Sequence, residues 1–123
     1  MAKILLAEDD GAMRGFLTAA LAKAGHEVEA RVDGLDAMAA LQQGKDGDFD
    51  LLLADIVMPG MDGIELAQKA AEMHPSIKVM FITGFAAVAM GARNPAKAQA
   101  RVLSKPFHLK DLVDQVNQLL TAA

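Results

Sequence analysis

Lys3-Ile4-Leu5-Leu6-Ala7-Glu8-Asp9-Asp10 decides how this chain is read, because an unbroken apolar run ends abruptly on three acids. The figure recurs with other endings. Leu51-Leu52-Leu53-Ala54 leads to Asp55, Lys78-Val79-Met80-Phe81-Ile82 to Thr83, and Arg101-Val102-Leu103-Ser104 to Lys105-Pro106. Short apolar runs bounded by polar residues read as strands buried on both faces of a parallel sheet. In such sheets the functional crevice lies beyond the carboxyl ends of the strands. The acids, the hydroxyl and the ammonium should therefore converge on one edge.

Helical patterns separate these strands. Met13, Phe16, Leu17, Ala20, Leu21 and Ala24 fall on one face at helical spacing, with Gly25 placed to end the helix. Val28, Ala30 and Val32 alternate as a second strand, after which Asp33 is placed to cap a helix carrying Leu35, Met38 and Leu41. The loop Met58-Pro59-Gly60-Met61-Asp62-Gly63 leads to a helix from Ile64 to Met73, stopped by His74-Pro75. Leu109, Leu112, Val113, Val116, Leu119 and Leu120 form the stripe of a last helix. Residues 84–100 are less regular, since Gly84, Gly91 and Asn94-Pro95 interrupt an Ala-rich run; a short, irregular helix ending by Met90 and then a loop are expected there. The alternation implies an α/β fold: a flavodoxin-like, doubly wound, five-stranded parallel sheet in the order 2-1-3-4-5. That order puts the first and third strands side by side, and with them Asp9, Asp10 and Asp55.

Composition narrows the function. The 123 residues are 53% hydrophobic and carry a net charge of -4, which suits one globular domain spanning 1–123 and argues against general affinity for nucleic acid or anionic membrane. With no Cys, there is no thiol catalysis, disulfide or zinc-thiolate site. The first strand starts at Lys3 and no apolar run nears the roughly 18 residues of a membrane span, so a cytoplasmic protein is expected. No large apolar stripe is left over, and a monomer is expected. His26, His74 and His108 share no metal spacing and read as surface or capping residues.

The acidic edge needs a chemical reason. Two carboxylates about 4 Å apart repel by roughly 4 kcal/mol at an effective dielectric of 20. Either one of them stays protonated or a cation joins them. Oxygen donors with no His or Cys beside them suit a hard ion, Mg²⁺ first, which takes one or two carboxylates and completes its shell with water, a carbonyl and phosphate oxygens. An Asp between such an ion and Lys105 is set up as a nucleophile toward phosphorus.

Glu8-Asp9-Asp10, Asp55 with the following Met58-Pro59-Gly60-Met61-Asp62-Gly63, Thr83-Gly84 and Lys105-Pro106-Phe107 together resemble the receiver domain of two-component response regulators. The resemblance implies that Asp55 accepts a phosphoryl group from a histidine kinase or histidine phosphotransferase. It implies that Asp9, Asp10, Asp55 and the Val57 carbonyl hold Mg²⁺, with Glu8 tuning the site or joining the ligands. Thr83 and Lys105 would bind phosphoryl oxygens, and Lys105-Pro106 would be cis. Such a protein catalyses only its own phosphorylation and dephosphorylation. It would signal through a contact face including Phe85, Val88, Met90, Val102 and His108. Val102 stands where most receivers carry an aromatic ring, which puts the usual ring-flip readout in doubt.

The runs beginning Phe81-Ile82-Thr83-Gly84-Phe85 and Arg101-Val102-Leu103-Ser104-Lys105 narrow the resemblance to single-domain cell-cycle regulators of alphaproteobacteria. That group implies an output on the ClpXP protease, with the unphosphorylated form engaging the ClpX unfoldase. Alternatives are an intermediate phosphorelay receiver or phosphoryl sink with another partner, and a Mg²⁺-dependent phosphatase using an aspartyl-phosphate. The phosphatase is disfavoured because such enzymes usually place an acidic residue at the position of Val57. A flavin or nucleotide binder is disfavoured because acids replace the Gly-rich phosphate cradle.

Overall fold

Five parallel strands stand in the order β2-β1-β3-β4-β5 in the computed structural model, as the alternation of strands and helices requires. The structure describes residues 2–84 and 101–121. The strands are β1 (Lys3–Ala7), β2 (Glu27–Arg31), β3 (Leu51–Asp55), β4 (Lys78–Thr83) and β5 (Arg101–Ser104). The helices among the described residues are α1 (Gly11–Lys23), α2 (Gly34–Gln43), α3 (Gly63–Met73) and α4 (Leu109–Thr121). The irregular helix expected within 84–100, and with it Phe85, Val88 and Met90, lies outside the described residues apart from Gly84.

The alternation of side chains along each strand builds two cores. Leu5, Ala7, Leu52, Ala54, Val79 and Phe81 face α2 and α3, where Ala37, Leu41, Leu66 and Ala70 meet them. Ile4, Leu6, Leu51, Leu53, Met80 and Ile82 face α1 and α4, against Leu17, Leu21, Leu112 and Val116. Every residue of β3 is buried, which is why its sequence shows a continuous apolar run and no alternation. Helix starts follow their caps: Asp33 accepts from the Asp36 N–H at 2.9 Å, and Asp62 from the Glu65 N–H at 2.9 Å.

Three expectations change. Phe16, placed on the buried face of α1, is 61% exposed, because Leu17 and Leu21, with Met13 beside them, cover the sheet and Phe16 sits about 100° round the helix from Leu17. Together with Leu109, Ala20 and Val113 it lines an apolar groove of about 500 Å³ between α1 and α4, so some apolar surface is left over after all. Val32 falls just beyond β2 and is exposed, as is Leu35. His74 does end α3, but it is buried, with Nε2 donating to the Leu41 carbonyl at 2.8 Å and its ring tilted against Phe49.

Leu53 is wholly buried in the α1/α4 core at the centre of the sheet. Leu53→Ala should cost about 2–5 kcal/mol of unfolding free energy in urea titrations. An exposed helix position such as Glu72→Ala should stay within about 0.5 kcal/mol.

Candidate functional site

Strand register gathers the site. Ala7 pairs with Ala54, Asp55 with Ile82 and Thr83 with Ser104, so the residues ending β1, β3, β4 and β5 arrive at one edge. Glu8 continues the extended path of β1, its N–H donating to the Arg31 carbonyl at 3.3 Å, and its side chain is wholly buried. Asp55 is 6% exposed and Thr83 wholly buried. The Lys105 N–H donates to the Thr83 carbonyl at 2.8 Å, tying the end of β5 to that of β4. Lys105-Pro106 is a cis peptide bond.

The Lys105 ammonium is the centre of the arrangement. Its Nζ donates to Asp55 Oδ2 at 2.9 Å and to Glu8 Oε1 at 3.3 Å. The other oxygens are also held: Asp55 Oδ1 accepts from the Val57 N–H at 3.2 Å, and Glu8 Oε2 from the Asp10 N–H at 3.1 Å. Thr83 stands one strand over from Asp55 and also has a partner. Val57 is exposed at the mouth of the site.

The acids divide their work differently from the expectation. One carboxylate oxygen each from Glu8, Asp9 and Asp55 lies within 4.8 Å of the others, the spacing of a cation site. Asp10 is not in that group. Its Oδ1 accepts from the Ala12 and Met13 N–H groups at 3.0 and 3.1 Å, capping α1. Chain direction explains the exchange, since Glu8 directly follows the last residue of β1 and is buried while Asp10 is already the cap of α1. The position of Asp10 just ahead of a periodic helix was the signal for a cap.

Charge is imperfectly balanced here. Burial, partly opposed by the Asp10 N–H, pushes the Glu8 carboxyl up to about 7, and the Asp55 charge adds to the rise while Lys105 works against it. Burial also works against the Lys105 ammonium, but its bonds to Asp55 and Glu8 outweigh that and hold it above the usual lysine value. Glu8 and Asp55 share one ammonium, and the Asp9 carboxylate stands beside them. Hard oxygen donors in this excess fit a hard divalent cation, and no soft or imidazole ligand stands among them.

The raised Glu8 carboxyl has a stability consequence whose sign is fixed. Between pH 4.5 and about 7 the unfolded chain has released the Glu8 proton and the folded protein has kept it, so this group makes stability fall as pH rises through that window and level off above it. In EDTA, Glu8→Gln should remove that downward slope, read as the difference between the variant's and the wild type's unfolding free energies at successive pH values. A difference independent of pH would show that Glu8 does not titrate there.

Residues 4–117 match the response regulator receiver domain family. Response regulator receiver protein CpdR of Brucella abortus (strain 2308) is 55% identical over 123 residues, covering 100% of each chain. A response regulator receiver protein from Sinorhizobium medicae WSM419, known by crystal structure, is 30% identical with a TM-score of 0.88 over 98% of this chain and 95% of that one. Response regulator protein TrrA from Thermotoga maritima, solved in complex with Mg²⁺-BeF, is 25% identical with a TM-score of 0.84 over 97% of this chain and 99% of that one. With its parallel sheet, acidic edge and tethering lysine, the chain belongs to the response regulator receiver domain family, a family of signalling proteins.

Proposed function

We propose that this chain is a stand-alone phosphorylation switch in which Asp55 is the phosphoacceptor and protein binding is the output. The observation that carries the reading is the Asp55 carboxylate, nearly buried at a strand end, with Lys105 Nζ 2.9 Å from Oδ2 and two further carboxylates gathered beside it. A structural ion pair would not need the additional acids, whose mutual repulsion works against folding.

In the proposed reaction an Asp55 oxygen attacks the phosphorus of a phosphohistidine on a histidine kinase or phosphotransferase. The O–P bond forms as the P–N bond breaks, and the imidazole nitrogen leaves with the bonding pair. Bound Mg²⁺ supplies positive charge against the oxygens of the transferring group. Asp9 and Asp55 are its carboxylate ligands in this reading, with Glu8 beside them and the Val57 carbonyl as a backbone ligand; Asp10 supports them by fixing the start of α1. Lys105 stays beside Asp55 and meets the charge that develops. The Thr83 hydroxyl takes a phosphoryl oxygen.

The full-length similarity to CpdR, together with the runs around Thr83 and Lys105, supports a narrower output: control of the ClpXP protease in cell-cycle proteolysis, with the unphosphorylated form engaging ClpX. A single domain over residues 1–123 would then present the contact face itself. An intermediate phosphorelay receiver or phosphoryl sink would use the same chemistry and another partner.

Acetyl phosphate with Mg²⁺ should phosphorylate the wild type, detected by intact mass. Asp55→Asn should take up nothing, and Lys105→Met should slow uptake by about 100-fold or more. Uptake by Asp55→Asn at the wild-type rate would sink the assignment. A lysate pull-down then separates the outputs. ClpX captured by Asp55→Ala, and lost from wild type held in beryllofluoride and Mg²⁺, supports the protease reading; capture of other partners by the beryllofluoride form supports the relay.

A further inference from the structure

The turn between β3 and α3, residues 56–62, is gripped from both sides by backbone. Gly63 opens α3 against Asp55 itself. A Cβ there would overlap the Asp55 carbonyl oxygen and stand 3.0 Å from both the Asp55 carbonyl carbon and Ile56 Cα. The Gly63 N–H also donates to the Ile56 carbonyl at 2.8 Å. On the far side, Gly34 opens α2 and is buried against the same turn. A Cβ at Gly34 would overlap the Met61 carbonyl oxygen and stand 3.1 Å from Met61 Cβ. Beside it Leu35 covers Gly60, whose φ of 78° carries the chain round, and a Cβ at Gly60 would come within 2.9 Å of Leu35 Cδ1.

These contacts leave the turn no slack. A side chain pressed by a neighbour can change rotamer, whereas a peptide group can yield only by moving the chain on either side. Any shift of the α2 start therefore passes to Met61, and from the turn to Asp55. Val57 lies in that turn, and its N–H bond to Asp55 Oδ1 orients the carboxylate that Lys105 holds by its other oxygen.

We propose that Gly34 is a positioning residue: seated without a side chain on the Met61 carbonyl, it sets the turn that aims the Asp55 carboxylate. Gly34 does not touch the reacting atoms and acts through residues 56–62. The effect on rate rests on Asp55 being the phosphoacceptor; the effect on the geometry of the turn does not.

The test uses Gly34→Ala, Leu35→Ala and, as a control, Gly15→Ala, which lies on the exposed side of α1 where a Cβ meets nothing. Two quantities are read on protein shown to be folded by circular dichroism. One is the ¹⁵N-amide resonance of Val57 without metal or phosphodonor; the other is the rate of phosphoryl uptake at saturating acetyl phosphate and Mg²⁺. Gly34→Ala should move the Val57 resonance and lower the saturated rate by about tenfold or more, with little change in the acetyl phosphate KM. Leu35→Ala should move the same resonance by less, and Gly15→Ala should leave both readouts alone. A folded Gly34→Ala with a lower melting temperature but the wild-type Val57 resonance and rate would reduce Gly34 to packing and overturn the proposal. If Gly34→Ala does not fold, Leu35→Ala decides, and an unmoved Val57 resonance overturns it. Should the wild type itself take up no phosphoryl group, the functional reading falls, and the Val57 resonance alone judges the role of Gly34.

Discussion

Lys105 Nζ, bonded to both Asp55 and Glu8, is the contact on which the acidic edge depends. Both carboxylates are nearly or wholly out of water, where an unpaired ion costs several kcal/mol even after relaxation. The ammonium reaches them only because β5 runs parallel to β4 and ends level with it, the Lys105 N–H closing on the Thr83 carbonyl. The sheet order is thus a condition of the charge arrangement. Moving β5 elsewhere would take from two buried acids the cation that pairs them among the described residues.

The same constraint shapes the strands. A parallel sheet covered on both faces has no solvated side on which to place polar residues, so β1, β3 and β4 are apolar almost throughout and release their polar groups at their carboxyl ends. This made the architecture, and the arrival of Asp55, Thr83 and Lys105 at one edge of the sheet, legible from pattern. Helix caps were equally legible at Asp33, because a short acceptor before a periodic run has one common use.

What the pattern could not separate were residues whose fate turns on the direction of a single Cα–Cβ bond. Three successive acids after β1 look alike in sequence, yet Glu8 is buried inside the site, Asp9 joins the ion-sized group and Asp10 caps α1. Phe16 and Leu17 are both apolar and adjacent, and helical rotation buries one and exposes the other. His74 follows the last residue of α3, where sequence favours an exposed cap. It is buried because the end of α2 lies over it, with the Leu41 carbonyl accepting its proton. Each of these was decided by how elements pack, which periodicity within one element does not encode.

Charge arithmetic then constrains any switch built here. The folded site already disfavours charge on Glu8, its carboxyl pushed up to about 7 by burial first and then by the Asp55 charge. Phosphorylation of Asp55 would add about one further negative charge and acceptor oxygens within the same cluster. Lys105, already shared between two acids, cannot balance that increment alone. The added charge must be met by a bound divalent cation, by a proton on Glu8, or by moving donors toward the phosphoryl oxygens. The first two settle the charge locally and transmit nothing. Only the third requires chain movement, and Thr83, buried at the end of β4 beside the exposed surface of β5, is the group whose movement would carry the signal outward in the proposed switch.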